Sequence, residues 1–216
     1  MPLGYGALMI DPEVYDHVLH AAAAIGEPLH AAIERVGPLA VTPPTHAIVA
    51  DRLIVEVVNQ QLSAKAALAI WTRIEAVAAG LTLAPRDLCV PAHEALLRDC
   101  GVSANKVRAL HAIAEAERAG MLGSELAGLA HCERVARLCR IRGVGPWTAD
   151  MVGIFHYLDP DIWPVGDVAA VGTLRRLTGC IDTIPVAMTF APYRSILARY
   201  MWRIREVQAI RIVQAA

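Results

Sequence analysis

The residues best suited to chemistry lie between Leu138 and Asp167. Two glycines flank one apolar residue at Gly143-Val144-Gly145, Pro146 follows, and Thr148 sits in the next turn. Paired glycines suit a loop whose backbone must approach something closely. Proline has no N–H to leave unsatisfied and presets the first helical turn. Thr148 lies where a hydroxyl helps to satisfy free backbone groups. The spacing predicts two helices joined by a tight hairpin, Ile141 to Gly145, with Val144 plugged into the core between them. Amides exposed at the start of the second helix form an anion site that takes a phosphate without any basic side chain. An ordinary helical corner closed by glycine has the same five residues, so the hairpin alone does not decide. Asp167 is the second element, behind the short extended lead Trp163-Pro164-Val165-Gly166. Aspartate there caps a helix, and the cap would hold the carboxylate in place.

The elements around these residues read as helices throughout. Asp11 and Pro12 start one carrying Val14, Val18, Leu19 and Ala22 at helical spacing. A short helix follows from about Leu29 to Val36, closed by Gly37-Pro38. His46 to Gln61 is amphipathic, with Asp51, Arg52 and Glu56 between the apolar positions. Ser63 caps Ala64 to Ala79, and Ser103 caps Ala104 to Ala119. Pro85 and Pro91 mark short helix starts. Helices are further expected over Ala130 to Cys139, Pro146 to Tyr157, Asp167 to Thr178, and Tyr193 to Val213. No sustained period-two alternation and no Asn-Gly turn appears. The expected class is all-α, one domain over 1–216 with two helical lobes flanking a cleft. One lobe would be 1–45 with about 180–216, the other 46–179 carrying the hairpin at 138–157.

Apolar residues make up 56% of the chain, enough for a real core, so disorder is excluded. No apolar run free of charge is long enough for a bilayer. No basic stretch precedes an apolar one at the start, so the expectation is a cytoplasmic protein without a signal peptide, nucleoid-associated if bacterial. The odd set Cys89, Cys100, Cys132, Cys139 and Cys180 has no C-x-x-C pair, which argues against disulfides, zinc and iron–sulfur clusters and for small buried residues. The net charge of −1 is not the usual mark of a nucleic-acid binder. Its distribution is uneven: Lys and Arg number 9 against 14 Asp and Glu through Ala130, then 11 against 7 from His131 onward. A local basic half can still meet phosphate.

Together these motifs resemble the helix-hairpin-helix DNA glycosylase superfamily. Its signature is an apolar–Gly–apolar–Gly hairpin, a Thr-Ala in the next helix and an Asp some twenty residues on; here Gly143-Val144-Gly145, Thr148-Ala149 and Asp167 match it. Arg142 stands where the family usually has Pro. The branch most similar is the 3-methyladenine DNA glycosylase II group, whose Gln-Gln-x-Ser, Gly-x-Ser-x-x-Lys and Pro-x-Arg-Ser…Trp segments match three stretches. These are Gln60-Gln61-Leu62-Ser63 with Ala66-Ala67, Gly101-Val102-Ser103 with Lys106, and Pro192-Tyr193-Arg194-Ser195 through Trp202-Arg203. The likeness runs from about Asp11 to Arg203. Some members carry an extra N-terminal β-rich domain, which is not expected here.

The resemblance implies a base-excision enzyme that everts an alkylated base from damaged double-stranded DNA and hydrolyses its N-glycosidic bond. Asp167 would stabilise the oxocarbenium-like sugar or orient the attacking water. Asp159 and Asp161 come too early in the motif. Gly143, Val144, Gly145, Thr148, Gln60, Gln61 and Ser63 would meet DNA, with Gln61 as the wedge. Trp147, Met151 and Trp202 would line a pocket that favours a cationic purine by cation–π attraction. Met151 replaces an aromatic residue common in the family. Trp71 and Trp163 are expected in the core. Members that also nick the strand use a hairpin Lys, but the matching residue is Trp147 and no Lys follows Lys106, so lyase activity is not expected. No metal, cofactor, membrane or obligatory protein partner is implied, beyond a monovalent cation that hairpin carbonyls are able to hold. The same residues fit two other readings: a glycosylase for uracil, hypoxanthine or a mismatched base, and a hairpin module that binds DNA without chemistry.

Overall fold

The computed structural model describes residues 8–214, with side chains to residue 208 apart from residue 64. Helices dominate, as the periodicity predicts. The exceptions are two-residue strands, β1 (Leu8–Met9) and β2 (Ala40–Val41), paired antiparallel with Leu8 opposite Val41. Contacts divide the chain into two compact units. A terminal unit comprises residues up to Thr45 with those from Leu158 onward, and a central unit is His46–Tyr157.

The terminal unit holds α1 (Pro12–Ile25) and α2 (Glu27–Val36), then later helices whose bounds follow. Asp11 caps α1, its Oδ1 accepting from the Glu13 amide at 2.8 Å. Val18 and Ala22, one turn apart, are fully buried, as are Leu29 and Ile33 of α2. The last long helix of the chain, described below, packs against α2, and the Tyr200 hydroxyl donates to the Gly37 carbonyl at 2.9 Å.

The central unit runs through α3 (Val49–Asn59), α4 (Ala64–Gly80), α5 (Glu94–Asp99), α6 (Ala104–Arg118), α7 (His131–Leu138) and α8 (Pro146–Phe155). Its core joins Leu53, Ile54 and Val57 of α3 to Leu110 and Ile113 of α6 and Val152 of α8. α3 begins three residues later than the periodicity suggests, because His46 to Ile48 is non-helical. Glu56, expected among the polar positions of α3, is instead 3% exposed and paired with Arg52, whose guanidinium also lies over the Phe155 ring. An ion pair of this kind lets a carboxylate sit inside a core.

The terminal unit closes with α9 (Val168–Thr178), α10 (Ile184–Met188) and α11 (Arg194–Gln214). This changes the expected lobe boundary: residues 158–179 belong with the termini. Ala170 and Leu174 of α9 are fully buried among Phe190, Leu197 and Met201, so the apolar stripe of α9 is spent on α11. The cysteines also depart from expectation. Cys89 and Cys100 are buried, but Cys132 and Cys180 are exposed and Cys139 is partly so. Seven-residue spacing puts Cys132 and Cys139 near one helix face without saying which face is covered.

Candidate functional site

In the central unit, α7 and α8 are joined by the hairpin Cys139 to Gly145. Ile141 and Val144 are each 4% exposed and root the turn in the core, so Val144 holds the hairpin from within. The Val144 amide donates to the Ile141 carbonyl at 3.0 Å, and His131 Nε2 meets Asp150 Oδ1 at 2.9 Å, tying the two helices together. Gly143 has φ +84°, and a Cβ there would stand 2.3 Å from the Cβ of Ala109 in α6. Only glycine satisfies both the conformation and the approach. Gly145 is different. It is the N-cap of α8 in extended conformation, no side chain caps that helix, and a Cβ would meet nothing within 4 Å. Arg142 and the Gly143 backbone are exposed beside it.

Gln60, which ends α3, reaches this turn. Its Nε2 donates to the Gly143 carbonyl at 3.1 Å and to Thr148 Oγ1 at 2.9 Å. Thr148 is buried, so the bond fixes its hydroxyl at the first turn of α8. Lys106 in turn holds Gln60, its Nζ donating to the carbonyls of Val58 at 2.8 Å and Gln60 at 2.7 Å. These are carbonyls left over at the end of α3, and burial pushes the Lys106 ammonium below its usual pKa. Ser103 caps α6 and starts the turn that aims Lys106. The matched motif contained this lysine, but nothing local in the sequence announced its job.

Gln61 is exposed and held at φ +55°, an uncommon conformation for a residue with a side chain. Ser63 serves its helix: Oγ accepts from the Ala66 amide at 3.2 Å. Of the expected pocket residues, Trp147 is partly exposed in the first turn of α8 and Met151, one turn on, is 4% exposed. Trp202 belongs to α11 in the terminal unit.

There Asp167 caps α9. Oδ1 accepts from the Ala170 amide at 2.7 Å and from the Trp202 indole N–H at 2.9 Å. Asp167 itself is buried, at 9% exposure, in a stretch where Val165 and Val168 are 58% and 84% exposed. Asp161 has a different task. Arg194 forks onto it, Nε to Oδ1 at 2.7 Å and Nη2 to Oδ2 at 2.9 Å, and those bonds hold its carboxyl below the usual carboxylate range. Ser195 Oγ donates to the Asp159 carbonyl at 2.7 Å and accepts from the Ile162 amide at 2.9 Å. Trp163 is buried as expected, its indole donating to Thr183 Oγ1 at 3.3 Å. Trp71 is only half-buried and donates to Glu75. Among the described residues no group of three or more His, Cys, Asp or Glu side chains is placed to hold a metal, and no helix is long and apolar enough to cross a membrane.

Known proteins resemble this chain in sequence and in fold. The sequence profile described as "HhH-GPD superfamily base excision DNA repair protein" matches residues 54–193, from the middle of α3 to the start of α11. The chain is 33% identical over 163 residues to DNA-3-methyladenine glycosylase 1 of Schizosaccharomyces pombe, covering 71% of each. A structure of the 3-methyladenine DNA glycosylase of that yeast in complex with abasic DNA superposes with a TM-score of 0.78 at 26% identity, over 88% of this chain and 95% of that one. The crystal structure of a DNA-3-methyladenine glycosidase from Bacillus halodurans superposes with a TM-score of 0.69 at 31% identity, over 90% and 89% of the two chains. The chain belongs to the HhH-GPD superfamily of base excision DNA repair proteins.

Proposed function

We propose that this chain is a monofunctional DNA glycosylase that hydrolyses the N-glycosidic bond of alkylated purines, 3-methyladenine among them, in damaged duplex DNA. The observation that carries the proposal is the Asp167 carboxylate, held through Oδ1 by two donors at the N-cap of α9. The names of its relatives, 3-methyladenine glycosylases in yeast and bacterium, support the substrate class.

In this mechanism a backbone phosphate docks on the start of α8, where Gly145 supplies no competing side chain. Gln61, exposed on the turn that Lys106 braces, enters the gap left by the everted base. As the bond from C1′ to the base nitrogen breaks, the electron pair leaves with the base and positive charge builds on the sugar. The Asp167 carboxylate stabilises that charge. Water adds at C1′ and gives up a proton, leaving an abasic site. An alkylated purine already carries positive charge, so it departs without a strong general acid.

Measuring bases released from methylated, uracil-containing and hypoxanthine-containing duplexes tests the assignment. Release of methylpurines above the other two is expected. Release of uracil or hypoxanthine alone would refute the substrate class, and no release from any duplex would leave a binding module. Borohydride added during the reaction should trap no protein on DNA. No lysine occupies the hairpin, and the Lys106 ammonium is engaged with two carbonyls. A covalent adduct would overturn the monofunctional assignment.

A further inference from the structure

On the basis of the catalytic role proposed for Asp167, we infer that Trp202 is a positioning residue for that carboxylate. Its indole N–H points at Asp167 Oδ1 from 2.9 Å, and the Ala170 amide meets the same oxygen from 2.7 Å. The cap bond comes from the start of α9 itself, and the indole adds a donor from a second helix to the same oxygen.

The setting of α11 explains why the second donor stays put. Its first turn clasps the chain leading into Asp167, through the Arg194 fork on Asp161 and the Ser195 bonds to Asp159 and Ile162. Trp202 lies two turns further along, about 12 Å at 1.5 Å per residue. From Ile162, five residues of extended chain reach at most about 18 Å. The lead segment is thus held by α11 near its start and again at its end. Leu197, Ala198 and Met201, on the covered side of α11, are fully buried and anchor the helix itself. A carboxylate that must face a transient cation gains from being fixed beforehand, since no reorganisation is then needed as charge develops.

The test replaces Trp202 by 3-benzothienylalanine, which keeps the two-ring shape and puts sulfur in place of the N–H. Base release from duplex DNA methylated with dimethyl sulfate is measured under single turnover, alone and combined with Asp167→Asn. The isostere should slow release roughly tenfold, as expected for a hydrogen bond to a charged group. DNA affinity should stay within error, with a modest fall in melting temperature from the same lost bond. In the Asp167→Asn background it should change the rate less than twofold, because the group it serves is gone. A full-speed isostere beside a slow Asp167→Asn would overturn this inference alone. A tenfold loss that persists in the Asp167→Asn background would do the same. Equal rates for wild type and Asp167→Asn would overturn the catalytic reading and this inference with it.

Discussion

Replacing Asp167 by asparagine should lower the single-turnover rate of base release on the order of 10²- to 10³-fold, the range found when one preorganised electrostatic partner is removed from a transition state. The variant is informative because it changes little else. Asparagine caps helices about as well as aspartate. Its carbonyl oxygen can accept from the Ala170 amide and the Trp202 indole as Oδ1 does now. Fold and DNA affinity should therefore persist while the negative charge disappears. Substitution by alanine would confound the result, since losing the cap costs about 1 kcal/mol. Thermal unfolding separates the two effects, and a normal melting temperature with slow chemistry is the expected pair. Base release at the wild-type rate would exclude a role for the charge.

The second large effect is expected at Gly145. Gly145→Asp should weaken binding to duplex DNA by roughly ten- to thirtyfold, from the charge interactions available at a helix start. The new carboxylate has room, since a Cβ there meets nothing within 4 Å, and the extended backbone suits a capping residue. It would bond the amides at the start of α8 itself, occupying the anion site and repelling phosphate. Helix stability should hold or rise slightly. Gly143→Ala makes the contrast. There the added carbon collides with Ala109 at 2.3 Å and φ +84° is unfavourable, so about 2–3 kcal/mol of stability should be lost. Fluorescence anisotropy and thermal melting distinguish the two variants. A folded Gly145→Asp protein with undiminished affinity would remove the start of α8 from the DNA contact.

How far the sequence could be read followed the range of each interaction. Caps are local, and Asp11, Ser63, Ser103 and Asp167 all cap the helices expected of them. The Gly-Val-Gly hairpin was legible for the same reason, its glycines and its plug lying within a few residues. The bonds that hold these residues within each unit are not local. Gln60 and Gly143 are 83 residues apart, Lys106 and Gln60 46, and Asp167 and Trp202 35. No periodicity reports such pairs, because they depend on which helix faces meet. That is why the contacts of Lys106 with Gln60 and of Trp202 with Asp167 were not legible. Glu56 and the exposed Cys132 and Cys180 failed for a related reason: burial is decided by neighbours that sequence spacing does not name. The boundary near residue 158 was missed because α9 is an ordinary amphipathic helix whose partner, α11, lies later in the chain.

The central claim is that Asp167 faces a sugar on which positive charge develops. A duplex carrying a cationic pyrrolidine in place of one abasic sugar mimics that charge, and a neutral tetrahydrofuran mimics its shape alone. Equilibrium binding of both duplexes to wild type and to Asp167→Asn measures the interaction directly. The wild type should prefer the cationic duplex by tenfold or more, and Asp167→Asn should bind the two alike. Equal binding by the wild type, or a preference that survives in Asp167→Asn, would contradict the account.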